Sequence, residues 1–384
     1  MSNRQKNNIQ CELYKNPCKL WLEETWCELE QRANPSFFLS WLWIGTWLDS
    51  FVDDFFIIEA RKRNKTVGLG IFVQRSDKLF GIPTKNKLYL HRTGIPTRDQ
   101  IWIEYNDFLL DAEDEESIRR SLFECLAYGV NKRDAIVIGA SDDKKFSCIN
   151  HLGLKKRTVW ETNNYALNLD ELRSDNQTVL EFLSRNARYQ IQRSMRKYEE
   201  IGDITIEKAN SISHAKEMLD IAKPLHLARW NGEHARSGFG NDDFITFHER
   251  LIEKGIAAGA VELYHIKAGG ETLSIMYNFR HDNHIYFYLC AINYCHKSTQ
   301  YKPGLVSHYL LINKALEEGI ASYDFMGGHA RYKETFSNTK GELSVAQYEH
   351  SSSLLVLEQV FRDTRVWYLK TKKGMAYKLN KGRA

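Results

Sequence analysis

Apolar positions along this chain recur with two spacings, and the same succession of elements can be read twice. In the first half, residues 1–17 show no periodicity and read as loose chain. Residues 18–33 carry Leu20, Trp21, Trp26 and Leu29 at helical spacing. The run Phe37 to Leu48 is apolar on every side and reads as one buried helix. Phe55–Ala60 and Val67–Gln74 are β-rich runs joined by the polar turn Arg61–Lys65, and Leu88–His91 reads as a third strand. Glu115–Gly129 places Ile118, Leu122 and Leu126 on one helical face behind an acidic first turn, and Ala135–Gly139 has the composition of a buried strand.

The second half opens on Thr178–Ile201, read as a single long amphipathic helix. Leu180, Leu183, Ala187, Ile191, Met195 and Tyr198 share one face, and Arg185, Arg188, Arg193 and Arg196 the other. His214–Trp230 is helical, with a kink or stop expected near Pro224. Asn241 caps a helix that aligns Phe244, Phe247, His248, Leu251 and Ile252. Three strands follow, Ala260–Lys267, Thr272–Arg280 and Ile285–Ile292, then a helix from Pro303 with Leu305, Tyr309, Ile312 and Leu316, then the strand Tyr323–Phe325. Both halves thus run strand, strand, strand, helix, strand. That order points to an internal duplication at the scale of a domain, without a sequence repeat.

Composition narrows the class. A chain of 384 residues with 43% hydrophobic content fills two ordinary domains. A net charge of +4 is too small to imply nucleic acid by itself. Seven cysteines without a Cys-x-x-Cys pair argue against a disulfide framework or zinc site, and no metal is expected. The polar start lacks a signal-peptide core, and the longest apolar run falls short of the about 20 residues that a membrane helix needs. The expectation is a cytoplasmic, soluble protein.

Candidate chemistry gathers in residues 294–336. Lys302-Pro303-Gly304 opens a helix whose first N–H groups suit an anion. Asp324 lies in a strand ahead of Gly327-Gly328 and Arg331-Tyr332-Lys333. Asp324 is either a functional carboxylate or the partner of Lys333 or Arg331 in a salt bridge. His226 is a candidate base or a hydrogen-bonded packing histidine, and His248, on an apolar face, has the spacing of a core histidine. Arg229 and Trp230 suit binding of a charged or flat acceptor. The arginine face of 185–196 is either solvated or turned to an anionic ligand. Cys290, between apolar neighbours, reads as core.

The stretches Arg185–Ser194, Leu225–Trp230, Phe247-His248, Pro303-Gly304, Asp324–Gly328 and Tyr332-Lys333 resemble, in order and spacing, the GNAT acyltransferases. Within these the chain is similar to the family often labelled BioF2-like or CelD-like, itself similar to the FemABX aminoacyl-transferases. The resemblance implies an α/β (α+β) fold of tandem GNAT-like domains with mixed, mostly antiparallel sheets flanked by helices. It divides the chain into residues 1–165, a degenerate first domain, and 166–384, the acetyltransferase domain. It further implies acetyl-CoA or another acyl-CoA as donor, its diphosphate on the N–H groups of Gly304, Leu305 and Val306 beside Lys302. The thioester would lie near Leu289 and Cys290. Asp324 or His226 would take the acceptor's proton, Tyr332 would protonate the leaving thiolate and Lys333 would neutralise charge. Arg185, Arg188, Arg229, Trp230 and His248 would hold the acceptor, a cell-envelope or polysaccharide precursor, with no DNA partner. The usual phosphate loop, Gln/Arg-x-x-Gly-x-Gly/Ala, is reduced here to Gln300-Tyr301-Lys302-Pro303-Gly304. Two alternatives stand beside this reading: a transferase fed by aminoacyl-tRNA, and a non-catalytic binding protein that keeps the fold.

Overall fold

A computed structural model describes residues 9–79, 82–129, 134–229 and 237–350. The first half contains β1 (Ile9–Lys15), α1 (Lys19–Glu30), α2 (Trp41–Phe51), β2 (Phe56–Lys62), β3 (Lys65–Leu79), β4 (Ile82–Leu90), β5 (Leu109–Leu110), α3 (Glu115–Gly129) and β6 (Ala135–Ser141). Next come β7 (Leu154–Asn168), α4 (Leu169–Ser174), α5 (Val179–Phe182), α6 (Arg185–Glu199), β8 (Ile204–Lys208), α7 (Ile212–Arg229) and α8 (Asp242–Gly255). The second half ends with β9 (Val261–Ala268), β10 (Glu271–His281), β11 (His284–Ile292), α9 (Pro303–Glu317), β12 (Ser322–Gly327), α10 (Arg331–Phe336) and β13 (Thr339–His350). Among the described residues no helix is long and apolar enough to cross a membrane.

Among the described residues one sheet holds the strands in the order β1-β2-β3-β4-β6-β13-β7-β12-β11-β10-β9-β8, with β5 paired to β3 off this path. The pairs β4/β6 and β11/β12 are parallel and all others antiparallel. The sheet reads alike from both ends because its two halves meet at β7 and β13, antiparallel from Thr339↔Ala166 to His350↔Leu154. Each half borrows a strand there: β6 pairs with β13, and β12 with β7. The duplication expected from the order of elements is therefore present as topology.

One face of the sheet carries a core common to both halves. Trp26, Phe37, Trp43 and Trp47 of the first half pack with Phe247, Tyr277 and Phe279 of the second. Phe37 stacks on Phe279 with ring centroids 4.3 Å apart. On the opposite face the two halves keep separate cores, one beneath α3 and one beneath α5, α6 and α9. Removing a ring such as Phe279 from the shared core costs about 3–5 kcal/mol, felt by both halves.

Several elements differ from the sequence reading for identifiable reasons. Residues 9–15, expected to be loose, add a strand to β2. The apolar run from Phe37 is split, because Ser40 accepts the Trp43 N–H and starts α2 there, leaving Phe37–Leu39 as a 3₁₀ turn. The expected long helix breaks at Leu183, whose backbone is extended, and Ser184 caps α6 by accepting the Ala187 N–H. α7 runs unbroken through Pro224, which is exposed, so the carbonyl deprived of a donor faces water. The central strands β7 and β13 escape periodicity because their polar residues sit in a seam covered only in part.

Candidate active site

β11 and β12 pair for three rungs only: His284↔Ser322, Ile285↔Tyr323 and Tyr286↔Asp324. Two bulges then drive them apart. Tyr277 pairs with Leu289 and Asn278 with Phe287, leaving Tyr288 as the extra residue of β11. Asp324 pairs with Ala166 and Met326 with Tyr165, leaving Phe325 as the extra residue of β12. Beyond the fork, among the described residues, Phe287 to Ile292 have no strand on the β12 side. That edge offers backbone donors and acceptors to an extended, amide-bearing ligand.

A cavity of about 390 Å³ opens at the fork. Its walls are Phe287, Tyr288 and Leu289 of β11, Met326 and Gly327 of β12, His226 of α7 and Lys333 of α10. Phe244 and Gly238 complete this side, and the first half contributes Gln100, Trp102 and Glu104.

Two ionisable groups line the cavity, Glu104 and Lys333, and a third, Asp324, lies near enough to act on both. Glu104 is 2% exposed. Its Oε1 accepts the Trp102 indole N–H at 2.7 Å and its Oε2 the Gly327 N–H at 2.7 Å. Burial pushes its carboxyl up, opposed by those bonds and by Lys333. The Lys333 ammonium donates to the carbonyls of Gly327 and Met326. Burial lowers its pKa, while Glu104 and Asp324 work against that shift. Asp324 Oδ1 accepts the Tyr105 hydroxyl at 2.8 Å and the Met326 N–H at 2.6 Å. Desolvation still lifts its carboxyl to about 7, although part of its surface is open. No ion pair joins Asp324 to Lys333 or Arg331; Asp324 is held by a phenol and a backbone amide instead.

The backbone is shaped for this meeting. A Cβ on Gly327 would lie 3.0 Å from Glu104 Oε1, and one on Gly328 (φ +122°) 3.3 Å from Lys333 Nζ. Only glycines let both charged groups come so near the chain. Trp102, Tyr105 and Met326 all have φ between +52° and +62°. Such non-glycine residues each cost of order 1–3 kcal/mol and concentrate at functional sites.

The remaining candidates fall into three places. His226 lines the cavity, with Nδ1 2.7 Å from Ser237 Oγ. Burial, then Arg229, lower it to about 4, so it is neutral near pH 7. Arg229 hydrogen-bonds the Cys290 thiol, and the fields of both reach Tyr332, whose hydroxyl burial raises well above its usual value. The Tyr332 ring stacks on buried His308. Leu289 faces the cavity, while Cys290 lies beside the core beneath α9.

At the start of α9, Pro303 lacks an N–H and the Val306 N–H is taken by the Lys302 carbonyl. Gly304 and Leu305 carry the first-turn donors left over. The Lys302 N–H donates to Ser194 Oγ at 2.8 Å. Away from the cavity, Arg188 caps α5 through the carbonyls of Leu180, Glu181 and Leu183. Arg185 is exposed on α6. His248 is 1% exposed and sits between the hydroxyls of Tyr277 and Tyr288 at 3.1 and 3.0 Å. Trp230 lies outside the described residues.

Sequence reasoning missed Glu104, Trp102 and Tyr105. The available signal was the run Ile101-Trp102-Ile103-Glu104-Tyr105-Asn106-Asp107-Phe108, where acids interrupt an apolar stretch with no partner nearby in sequence.

Residues 185–334 match the family described as an acetyltransferase (GNAT) domain, a span that contains His226, Asp324 and Lys333. No curated protein matches the chain. Among solved structures it is similar to FemX, at TM-score 0.56 and 12% identity over 91% of this chain and 99% of that one. It is also similar to the C-terminal domain of a putative lysylphosphatidylglycerol synthetase from Agrobacterium fabrum, at TM-score 0.53 and 10% identity over 89% and 95%. L-PGS from Bacillus licheniformis aligns at TM-score 0.50 and 12% identity over 89% and 95%. Identities this low speak for the fold alone. With two units of the same strand order, one of them matching that domain, the fold is a tandem GNAT-like one.

Proposed function

We propose that this protein is an acyltransferase. It moves an acyl group from a coenzyme A thioester to an amine or hydroxyl of a polar acceptor such as a glycan precursor, in keeping with the BioF2-like or CelD-like resemblance. One observation carries the reading: the unpaired edge of β11 ends at a cavity where buried Lys333 and buried Glu104 share the wall and the half-buried Asp324 lies close enough to act on both.

The edge from Phe287 to Ile292 holds the donor's amide-bearing arm, and the start of α9 holds its phosphates. The acceptor nitrogen or oxygen attacks the thioester carbonyl carbon. Lys333 stabilises the oxygen that becomes negative. Glu104, on the cavity wall, takes the acceptor's proton. The charges of Glu104, Lys333 and Asp324 act on one another, and burial raises the Asp324 carboxyl to about 7. The carbon–sulfur bond breaks, and Tyr332 gives the thiolate its proton under the field of Arg229. His226 is uncharged near neutral pH and hydrogen-bonds the acceptor. A wide cleft of about 1000 Å³, lined by Lys87, Arg92 and Arg157 and equally by Asp99, Asp242 and Asp243, shares Gln100 and Trp102 with the cavity and gives the acceptor a route inward.

A second reading, transfer from an aminoacyl-tRNA, is favoured by the thin anion cradle at α9, where only Gly304 and Leu305 offer first-turn donors. Calorimetry with acetyl-CoA separates the two. We expect wild type to bind and Gly304→Glu to lose about tenfold or more, since a carboxylate there opposes both the phosphates and the helix dipole. A Cβ at Gly304 meets only Ile292, at 3.8 Å, so the variant keeps its fold. Absence of acetyl-CoA binding and thiol release, with transfer from charged tRNA, would overturn the thioester reading.

A further inference from the structure

Away from the cavity, three side chains of different chemistry converge on one point. Glu271 opens β10, and Cys295 and His296 lie in the loop from β11 to α9. Cys295 Sγ is 3.0 Å and His296 Nε2 2.8 Å from the same oxygen, Glu271 Oε1. One ligand atom from each residue lies within 4.8 Å of the others. Zinc bonds of about 2.3 Å to sulfur and 2.0–2.2 Å to nitrogen and oxygen need ligand atoms roughly 3.3–3.6 Å apart. The two contacts to Glu271 Oε1 are shorter than this and open slightly to admit the ion.

The surroundings fix these ligands in place. Asn293 accepts the Cys295 N–H at 3.1 Å, and its own amide donates to the Thr272 carbonyl at 2.9 Å. The loop is thereby pinned to β10 just ahead of the Cys-His pair. The His296 ring stacks on Tyr301 at 4.2 Å, and Tyr198 meets both rings edge-on. A metal site works when an outer shell orients its ligands in this way.

We propose that Glu271, Cys295 and His296 bind a zinc ion that ties β10 to the loop entering α9. Thiolate and imidazole together select zinc over magnesium or calcium, which take oxygen ligands. Cys295 is exposed, so the fourth position of the tetrahedron faces solvent and takes water. Binding releases the thiol proton to solvent, because the thiolate is the ligand. No Cys-x-x-Cys spacing announces the site; the sheet brings Glu271 to an adjacent Cys-His pair 24 and 25 residues further on. The ion would hold the loop that carries Tyr301 and Lys302 to Gly304. It is independent of the acyl-transfer reading, since none of its ligands lines the cavity.

The test uses the whole chain and two metals. Cobalt(II) should bind as a single equivalent, with intense tetrahedral d–d bands and a thiolate-to-cobalt charge-transfer band, and zinc should displace it. Cys295→Ser should abolish the charge-transfer band. His296→Gln and Glu271→Gln should weaken zinc by more than the about 10–100-fold that loss of an outer-shell partner costs. Cys18→Ser, at an exposed cysteine elsewhere, should change nothing. Zinc should raise the melting temperature of wild type and not that of Cys295→Ser, whose zinc-free circular dichroism matches wild type. The proposal is overturned by cobalt binding without a thiolate band, or by wild-type zinc affinity and thermal shift in Cys295→Ser.

Discussion

The sheet contains two forks of the same design, and their chemistry has diverged. β4 and β6 pair in parallel from Lys87↔Ala135 to Tyr89↔Val137; β11 and β12 do so from His284↔Ser322 to Tyr286↔Asp324. Each fork has three rungs. At the third, Tyr89 faces Val137 in the first and Tyr286 faces Asp324 in the second. The helices between the forked strands differ as sharply. α3 starts with Glu115 and Glu116, which repel an anion; α9 has no acid in its first turn and follows Lys302. The first fork opens on a broad cleft, whereas the second closes on a small cavity with buried charge. The first half also sends Glu104 and Tyr105 across to the second fork. Duplication supplied two places where an extended ligand can enter a sheet. The two differ at a rung and at a helix start, and under the proposed function the second takes the charged donor while the first serves as its supporting wall.

The strongest way to break that comparison is Lys333→Met. It keeps the side-chain length and removes the buried cation on which Glu104 and Asp324 both act. We expect kcat to fall about 10²–10³-fold, the usual cost of losing an oxyanion donor, with donor affinity nearly unchanged. Glu104→Gln comes next, at about 10²-fold in kcat/KM, the lower range for a general base. That loss would show that the first half takes part in the chemistry of the second. Wild-type rates in both variants would reduce the cluster to a packing feature.

The comparison also shows which features sequence can carry. The order strand, strand, strand, helix, strand was legible twice, because the strands of each meander are buried on both faces and form β-rich apolar runs between polar turns. The helix starts at Asn241 and Pro303 were legible from local chemistry. β7 and β13 were not, since a seam strand with polar side chains owes its place to pairing partners almost 200 residues away. For the same reason Asp324 and Lys333 could be named as candidates while Glu104 could not. Glu104 meets Gly327 across 223 residues, a contact that leaves no local trace in the sequence.

A smaller effect comes from making the two helix starts alike. Glu115→Lys with Glu116→Lys removes the anion repulsion at α3 while α9 stays intact. We expect no second equivalent of acetyl-CoA by calorimetry and a stability loss of about 1 kcal/mol, since Glu115 also pairs with Arg119. A second binding event would show that helix-start charge alone separates the forks, and that the rung difference is incidental.

The mildest test concerns the third rung itself, through the pH dependence of stability. Burial raises the Asp324 carboxyl from 3.8 to about 7 in the folded chain. The folded state therefore binds a proton that the unfolded state has already released between those values. Stability from this group is fully present below about 4, declines as pH rises and is lost above about 7. The slope is at most about 1.4 kcal/mol per pH unit for one proton. Asp324→Asn keeps an acceptor for the Tyr105 hydroxyl and cannot titrate. Its denaturation midpoint, measured against wild type from pH 4 to 8, should gain on wild type steadily up to pH 7 and then hold level. Val137→Asp places a carboxylate at the matching rung of the first fork, where Val137 is 5% exposed. It should destabilise the chain, more so as pH rises, and leave acyl transfer by the second fork intact. Parallel pH curves for wild type and Asp324→Asn would mean that Asp324 is ionised throughout, and the titrating group of the cavity would then have to be Glu104 alone.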